Sequence, residues 1–216
     1  MLHPDFSLEE EPYPAPQQVV RMGLAHPAKE GRFSSFANPA LVMAAKGGHL
    51  DALKLLRRHG ANLDATDQYD RTALMVAASS GSYDACRELI RCGASASAVD
   101  AQGLNPLLHA CWGRSPGCVK ELLESAGADP DEADLFDETP AMVAARVGNV
   151  ESLKLLMSHG CDLTLRDEND WDALGKAKAR GGRVEIIDAI EGALRVVANT
   201  TGASGDDDAY DPDELD

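Results

Sequence analysis

A stretch of about thirty-three residues recurs through the middle of this 216-residue chain, and that recurrence limits the fold more than any other feature. With Pro39, Thr72, Asn105, Thr139 and Asp172 aligned, the successive offsets are 33, 33, 34 and 33, and one pattern follows each. The clearest copy, Thr72 to Asp100, reads TALMVAASSGSYDACRELIRCGASASAVD. The copies from Pro39 and Thr139 read PALVMAAKGGHLDALKLLRRHGANLDATD and TPAMVAARVGNVESLKLLMSHGCDLTLRD. A unit this short cannot bury its own apolar face, so the copies must stack into one elongated core.

Each element of the pattern has a physical reason. Thr72, Asn105, Thr139 and Asp172 carry a side-chain oxygen just before an apolar stretch, which suits a helix N-cap. Pro106 and Pro140 follow at the first helical position. The helix is short, because Gly48, Gly81, Gly148 and Gly181 fall nine residues after the start, where a left-handed C-cap favours glycine. A second helix follows: in the first copy Leu50, Leu53 and Leu56 recur at helical spacing while Asp51, Lys54 and Arg57 take the other side. Gly60, Gly93, Gly127 and Gly160 end it. The pairs Ala44/Ala45, Ala77/Ala78, Ala110/Cys111 and Ala144/Ala145 let helices approach closely, and tracts such as DATDQYD and LRDENDWD between units are turn chemistry.

This pattern resembles the ankyrin repeat over roughly residues 34 to 195, in unit length, alanine pairs, both glycine positions and an aspartate opening each finger: Asp67, Asp100, Asp134 and Asp167. The resemblance implies an all-α helix–turn–helix solenoid of about five units with short β-hairpin fingers. It implies domains of 1–33 (a Pro-rich segment), 34–197 (the array) and 198–216 (an acidic tail). The chain departs from the family at the consensus histidine, where Val42, Met75, Leu108, Met142 and Gly175 stand, so the usual Thr–His network has no histidine. The third copy departs most. Arg114 stands where glycine is expected and one residue is added before Gly127, while Ser115-Pro116 can still cap the second helix. The fifth copy lacks the Gly-Ala ending, has a longer last helix and reads as a terminal cap.

Composition excludes several function classes. No apolar run approaches the roughly 20 residues of a membrane span, and the N-terminus has no basic region followed by an apolar core. Five cysteines, an odd number, argue against a disulfide framework and for a reducing compartment, the cytoplasm or nucleus. A net charge of −16 with no basic stripe disfavours DNA or RNA as direct ligands. No phosphate-cradling loop, HExxH, CxxC or Gly-x-Ser-x-Gly motif is present, so neither cofactor nor metal is expected. His49, His59, His109 and His159 read as residues of helix ends. The one enzymatic alternative is a site at His109 and Cys111.

The tails differ in kind. Residues 1–33 contain five prolines and an EEE run, which favours extended chain, and within QQVVRMGL the residues Val19, Val20, Met22 and Leu24 either cover the first unit or belong to an unstructured leader. The C-terminal TTGASGDDDAYDPDELD holds seven acids and no base after Gly205, and either solubilises or docks a basic partner.

What remains is protein binding. The resemblance places a recognition face on the finger tips and the exposed side of each first helix. Register assigns Tyr69, Arg71, Leu104, Trp112, Leu135, Phe136, Glu138, Arg146, Asn169, Trp171 and Arg180 to it. Tyr69, Phe136 and Trp171 lie where the fold requires nothing apolar, and exposed aromatics are the usual anchors of interfaces. Acids on successive fingers, Asp64, Asp67 and Asp70, then Asp129, Asp131, Glu132, Asp134 and Asp137, then Asp167, Glu168 and Asp170, favour a Lys/Arg-rich protein partner. The expected molecule is a non-enzymatic adaptor, scaffold or inhibitor, monomeric alone.

Overall fold

The computed structural model describes residues 30–179, 181 and 183–201. Ten helices occupy them: α1 (Glu30–Lys46), α2 (Leu50–Arg58), α3 (Ala73–Ser80), α4 (Tyr83–Arg91), α5 (Pro106–Trp112), α6 (Pro116–Glu124), α7 (Pro140–Val147), α8 (Val150–Ser158), α9 (Ala173–Ala179) and α10 (Val184–Thr201). They pair as five units, each packed on the next. The inner row α1, α3, α5, α7, α9 is in closer contact than the outer row α2, α4, α6, α8, α10. The segments QQVVRMGL and DDDAYDPDELD lie outside the described residues.

The inner helices begin where a side chain satisfies a helix amide that would otherwise lack a partner. Thr72 Oγ1 accepts the N–H of Met75 at 3.3 Å and Asn105 Oδ1 that of Leu108 at 2.9 Å. Thr139 Oγ1 accepts from Met142 at 3.4 Å and Asp172 Oδ1 from Gly175 at 2.7 Å. In the second unit Met75 Sδ closes a reciprocal cap by accepting the N–H of Thr72 at 3.3 Å, so sulfur occupies part of the role left without a histidine. The first unit differs. Pro39 aligns with these capping residues but has no side-chain oxygen, so nothing halts the helix there, and α1 runs through it from Glu30.

Helix ends follow the glycines. Gly48, Gly81, Gly148 and Gly181 have φ between 64° and 78°, and Arg114 holds the same register at φ 54°. A side chain there strains the backbone by about 1 kcal/mol or more. Ser115 is the residue before α6, yet its hydroxyl donates to Gly113 O at 3.2 Å and caps no helix amide; Pro116, which needs no such partner, opens the helix instead. The extra residue of the third unit is absorbed after α6, which keeps the nine residues of α2, α4 and α8.

The alanine pairs explain how closely the inner row packs. Ala44, Ala45, Ala77, Ala78, Ala110, Cys111, Ala144 and Ala145 are all sealed from solvent, and larger side chains from the outer row, Leu53, Leu56, Leu89, Leu122, Leu153 and Leu156, fill the space behind them. Each such leucine stabilises the array by about 2 kcal/mol through burial. The tightest approach is at Gly113, where a Cβ would lie 2.0 Å from the carbonyl oxygen of Ser79 on α3. Two substitutions therefore have opposite signs. In urea denaturation, Gly113→Ala should destabilise the chain by about 2 kcal/mol through backbone displacement, whereas Arg114→Gly should stabilise it by about 0.5–1 kcal/mol. A destabilising Arg114→Gly would show that the hydrogen bond from Arg114 Nη2 to Gly148 O, 3.3 Å, outweighs the strain.

Candidate protein-interaction surface

Between each outer helix and the next inner one the chain turns back over five residues that begin with an aspartate. The N–H of Asp67 donates to Arg71 O and that of Asp70 to Asp67 O, and the same pair recurs at Asp100/Leu104, Asp134/Glu138 and Asp167/Trp171. The fourth residue takes positive φ: Asp70 at 60°, Gly103 at 77°, Asp137 at 57° and Asp170 at 63°. This is a three-residue hairpin loop closed by a left-handed residue. The opening carboxylate clamps it, because Oδ1 of each aspartate accepts the amides two and four residues on, at 2.9–3.0 Å. The fingers are hairpin turns rather than extended strands: among the described residues strand pairing is limited to the isolated antiparallel bridge Thr66–Thr72. Adjacent tips are tied by Leu135 N–H to Gln102 O at 3.4 Å and Glu168 N–H to Phe136 O at 3.1 Å.

The residues singled out by register divide into two groups. Tyr69, Leu135, Phe136 and Trp171 are exposed, at 50, 72, 46 and 44 % of their surface, and Asn169 is exposed beside them. Each is nonetheless oriented by a neighbour where one is in reach. The Arg71 guanidinium lies 4.8 Å above the Tyr69 ring. Leu135 lies against Gly103, where a Cβ would meet its Cγ at 2.7 Å, and the Trp171 indole lies against Gly175, where a Cβ would meet Cε3 at 2.9 Å. Arg71, Leu104, Trp112, Glu138 and Arg146 are partly or fully buried. Arg180 lies outside the described residues.

The buried group forms a ladder across three units. Arg146 stacks over Trp112 of the preceding unit, 4.2 Å from the ring centroid, and grips Glu138 with Nε and Nη2 at 2.8 and 2.7 Å. Lys176 of the following unit reaches back to Glu138 Oε1 at 3.2 Å and to Asp167 Oδ2 at 2.5 Å. Lys176 is the member that register left out. It occupies the fourth position after the helix cap, where Val76, His109 and Val143 stand in the earlier units. His109 lies in the last turn of α5, and its Nε2 meets Asp100 Oδ2 at 2.9 Å.

These contacts revise the charge of the surface. Asp64 Oδ1 accepts the N–H of Ser95 at 2.8 Å, Asp131 that of Asp162 at 2.9 Å, and Glu132 holds Asn105 Nδ2 at 2.9 Å, so much of the acid supports the array. Arg71 neutralises Asp67 and Arg166 pairs with Asp170. Burial alone would raise the Asp100 carboxyl, but the His109 ring and the amides of Leu104 and Gln102 hold it below its ordinary value. Burial is likewise outweighed at Asp167, by Lys176 and the amides of Trp171 and Asn169. Asp131 goes the other way, raised by burial against the amide of Asp162.

Cys111 is fully buried and burial pushes its thiol far up, while Cys161 is pushed up to about 12, both opposite to what a nucleophile needs. No group of three or more metal-ligating side chains exists among the described residues, and no described helix is long and apolar enough to cross a membrane.

A stack of helix pairs with aspartate-clamped hairpin fingers defines a repeat solenoid, and comparison with known proteins names it. The family model described as Ankyrin repeats (3 copies) matches residues 24–100, 41–134 and 107–192, and the chain belongs to this family, whose members are generally protein–protein interaction modules and typically not enzymes. Among its relatives is the ankyrin repeat, SAM and basic leucine zipper domain-containing protein 1 of Oryctolagus cuniculus, 33 % identical over 73 residues, or 34 % of this chain and 15 % of that one. The ankyrin repeat and SOCS box protein 11 of Pongo abelii is 36 % identical over 83 residues, 38 % of this chain and 25 % of that one. The similarity thus spans a quarter or less of the length of these relatives.

Two outcomes follow from the ladder. Lys176→Met removes the cation shared by Glu138 and Asp167, which leaves Glu138 to Arg146 and the buried Asp167 carboxylate without a cation, so urea denaturation should show a loss of about 2 kcal/mol. A loss below about 0.5 kcal/mol would mean the bridge is decorative. Acid should also weaken the array. Asp100 and Asp167 have folded values below their unfolded ones, so their contribution is complete above about pH 4 and disappears as pH falls through the folded values. The urea midpoint of Asp100→Asn should therefore fall less steeply than that of the wild type from about pH 4 to about pH 2.

Proposed function

We propose that this chain is a non-enzymatic adaptor, scaffold or inhibitor that binds a protein partner through the finger tips and inner-helix face. The observation that carries the reading is the exposure of Tyr69, Leu135, Phe136 and Trp171 on the finger tips, each aromatic or large apolar and none required by the turn that bears it. Asp70 and Asp137, on the same tips, have no side-chain partner among the described residues and suit a partner with Lys/Arg-rich segments. The recognition set is Tyr69, Arg71, Leu104, Trp112, Leu135, Phe136, Glu138, Arg146, Asn169, Trp171 and Arg180. In it Arg71, Glu138 and Arg146 act by fixing their neighbours, and the exposed residues supply the contact. Five free cysteines suit a reducing compartment, the cytoplasm or nucleus, and the array is a monomer until its partner binds.

The enzymatic alternative at His109 and Cys111 has little support. The two residues are separated by two positions on a seven-residue helix, so they face different directions, and His109 is engaged by Asp100. Alanine at either position should alter stability and leave partner capture intact once refolding is verified.

Affinity purification with mass spectrometry identifies the partner, and binding kinetics then test the surface. Tyr69→Ala, Phe136→Ala and Trp171→Ala should each weaken binding by about 1–4 kcal/mol, chiefly through faster dissociation. Deleting the tail from Asp206 onward should slow association and flatten its salt dependence, with dissociation nearly unchanged. Unchanged affinity in all three aromatic variants would move the interface to the outer helices.

A further inference from the structure

In three of the four fingers, the second oxygen of the clamping aspartate is occupied by a basic side chain of this chain. Arg71 holds Asp67 Oδ2 through Nε and Nη2 at 2.9 and 2.6 Å. His109 Nε2 meets Asp100 Oδ2 at 2.9 Å, and Lys176 Nζ meets Asp167 Oδ2 at 2.5 Å. Asp134 breaks the pattern. Its Oδ1 accepts the amides of Phe136 and Glu138 at 2.9 Å each, as the others do, but no hydrogen bond or ion pair from the described residues reaches its Oδ2.

The sequence explains the gap. The occupying groups come from two registers: the residue just before the helix cap, as with Arg71, and the fourth residue after it, as with His109 and Lys176. In the fourth unit those positions hold Glu138 and Val143, an acid and a hydrocarbon. Arg146, whose charge does act on Asp134, has two guanidinium nitrogens committed to Glu138. Burial raises the Asp134 carboxyl, and the charge of Glu138 adds to this, against the amides of Glu138 and Phe136 and the charge of Arg146. The open oxygen remains within reach of solvent, since the buried side-chain polar atoms without a partner among the described residues reduce to Asn38 Oδ1. Leu135 and Phe136, the next two residues, are among the exposed apolar tips.

We propose that Asp134 Oδ2 receives one cationic side chain, lysine or arginine, from the bound protein, which completes in the fourth finger the pairing that Arg71, His109 and Lys176 complete in the others. This rests on the finger-tip face being the recognition surface, and it gives that surface a charged address beside its apolar anchors. Because Oδ1 already accepts two amides, the contact is a single charge-assisted hydrogen bond at Oδ2 rather than a two-pronged one.

The probe is N-acetyl-arginine amide, titrated into the isotope-labelled full chain. Four pairs of amides donate to the finger aspartates and report on each separately: Tyr69/Arg71, Gln102/Leu104, Phe136/Glu138 and Asn169/Trp171. The Phe136 and Glu138 signals should shift saturably, at least about threefold more than the other pairs, and N-acetyl-citrulline amide, the neutral isostere, should leave them in place. Asp134→Asn keeps the Oδ1 acceptor and should abolish the response. Since the folded Asp134 value is raised, its ionised form costs stability at neutral pH, so this variant should melt no lower than the wild type. Equal shifts at all four fingers, or a response surviving in Asp134→Asn, would overturn the assignment.

A second arm separates this proposal from the reading beneath it. Peptides selected on the wild-type chain from a random library should bind Asp134→Asn about tenfold more weakly, and Phe136→Ala more weakly as well. Peptides that need Phe136 but ignore Asp134→Asn would overturn the Asp134 assignment and leave the finger-tip surface standing. Peptides indifferent to Asp134→Asn, Tyr69→Ala, Phe136→Ala and Trp171→Ala alike would overturn both.

Discussion

One carboxylate per finger holds the finger tips, and with them the proposed recognition surface, in shape. An unpaired loop of five residues would sample many conformations, but an aspartate whose Oδ1 binds two amides at once removes that freedom and presents the tip at a fixed height above the inner helices. In three of the four fingers the charge that does this is itself compensated, by a different cation or ring each time. Arg71 comes from the finger itself, His109 from the helix that follows, and Lys176 bridges to the finger before its own. Similar turns thus come to carry different electrostatic surroundings, and a periodic scaffold becomes an aperiodic surface.

Beneath the fingers, energetics are those of a stack in which, among the described residues, each unit packs chiefly on its neighbours. The inner row is sealed by alanines and Cys111, the outer row by leucines, and neither contributes chemistry to the surface above. The third unit is the exception to regularity. Its left-handed Arg114 and the close approach of Gly113 to Ser79 put strain and tight fit at one junction, so local opening is expected to begin there rather than at random along the array.

The periodic part of this architecture was legible in the sequence, and the contacts between copies were not. Thr72, Asn105, Thr139 and Asp172 announce caps because the chemistry is local, and the glycines at 48, 81, 148 and 181 announce left-handed ends for the same reason. The start of α1 was hidden because Pro39 marks the register without being able to cap, and Ser115 misled because its hydroxyl finds a carbonyl two residues back. The pairs Arg146–Trp112 and Lys176–Glu138 join residues 34 and 38 positions apart, beyond any single-repeat pattern, and His109–Asp100 joins a helix to the finger before it. A usable signal did exist: reading the fourth position after each cap down the copies gives Val76, His109, Val143, Lys176, a column in which hydrocarbon alternates with basic groups. The exposed tips, by contrast, were readable one residue at a time, since a turn that asks for nothing apolar makes Tyr69 and Trp171 conspicuous.

Lys176 belongs to the last unit, yet one of its two anions, Glu138, belongs to the unit before. Chain length and surface chemistry are therefore linked in a way that a stack of independent modules would not show. A form of the protein ending before α9, whether produced by proteolysis or by alternative processing of its message, would lose more than contact area. It would leave Glu138 with Arg146 as its remaining cationic partner beside the already unpaired Asp134, turning the end of the shortened array more anionic. On the proposed finger-tip surface, shortening would thus redirect partner choice, not merely weaken it.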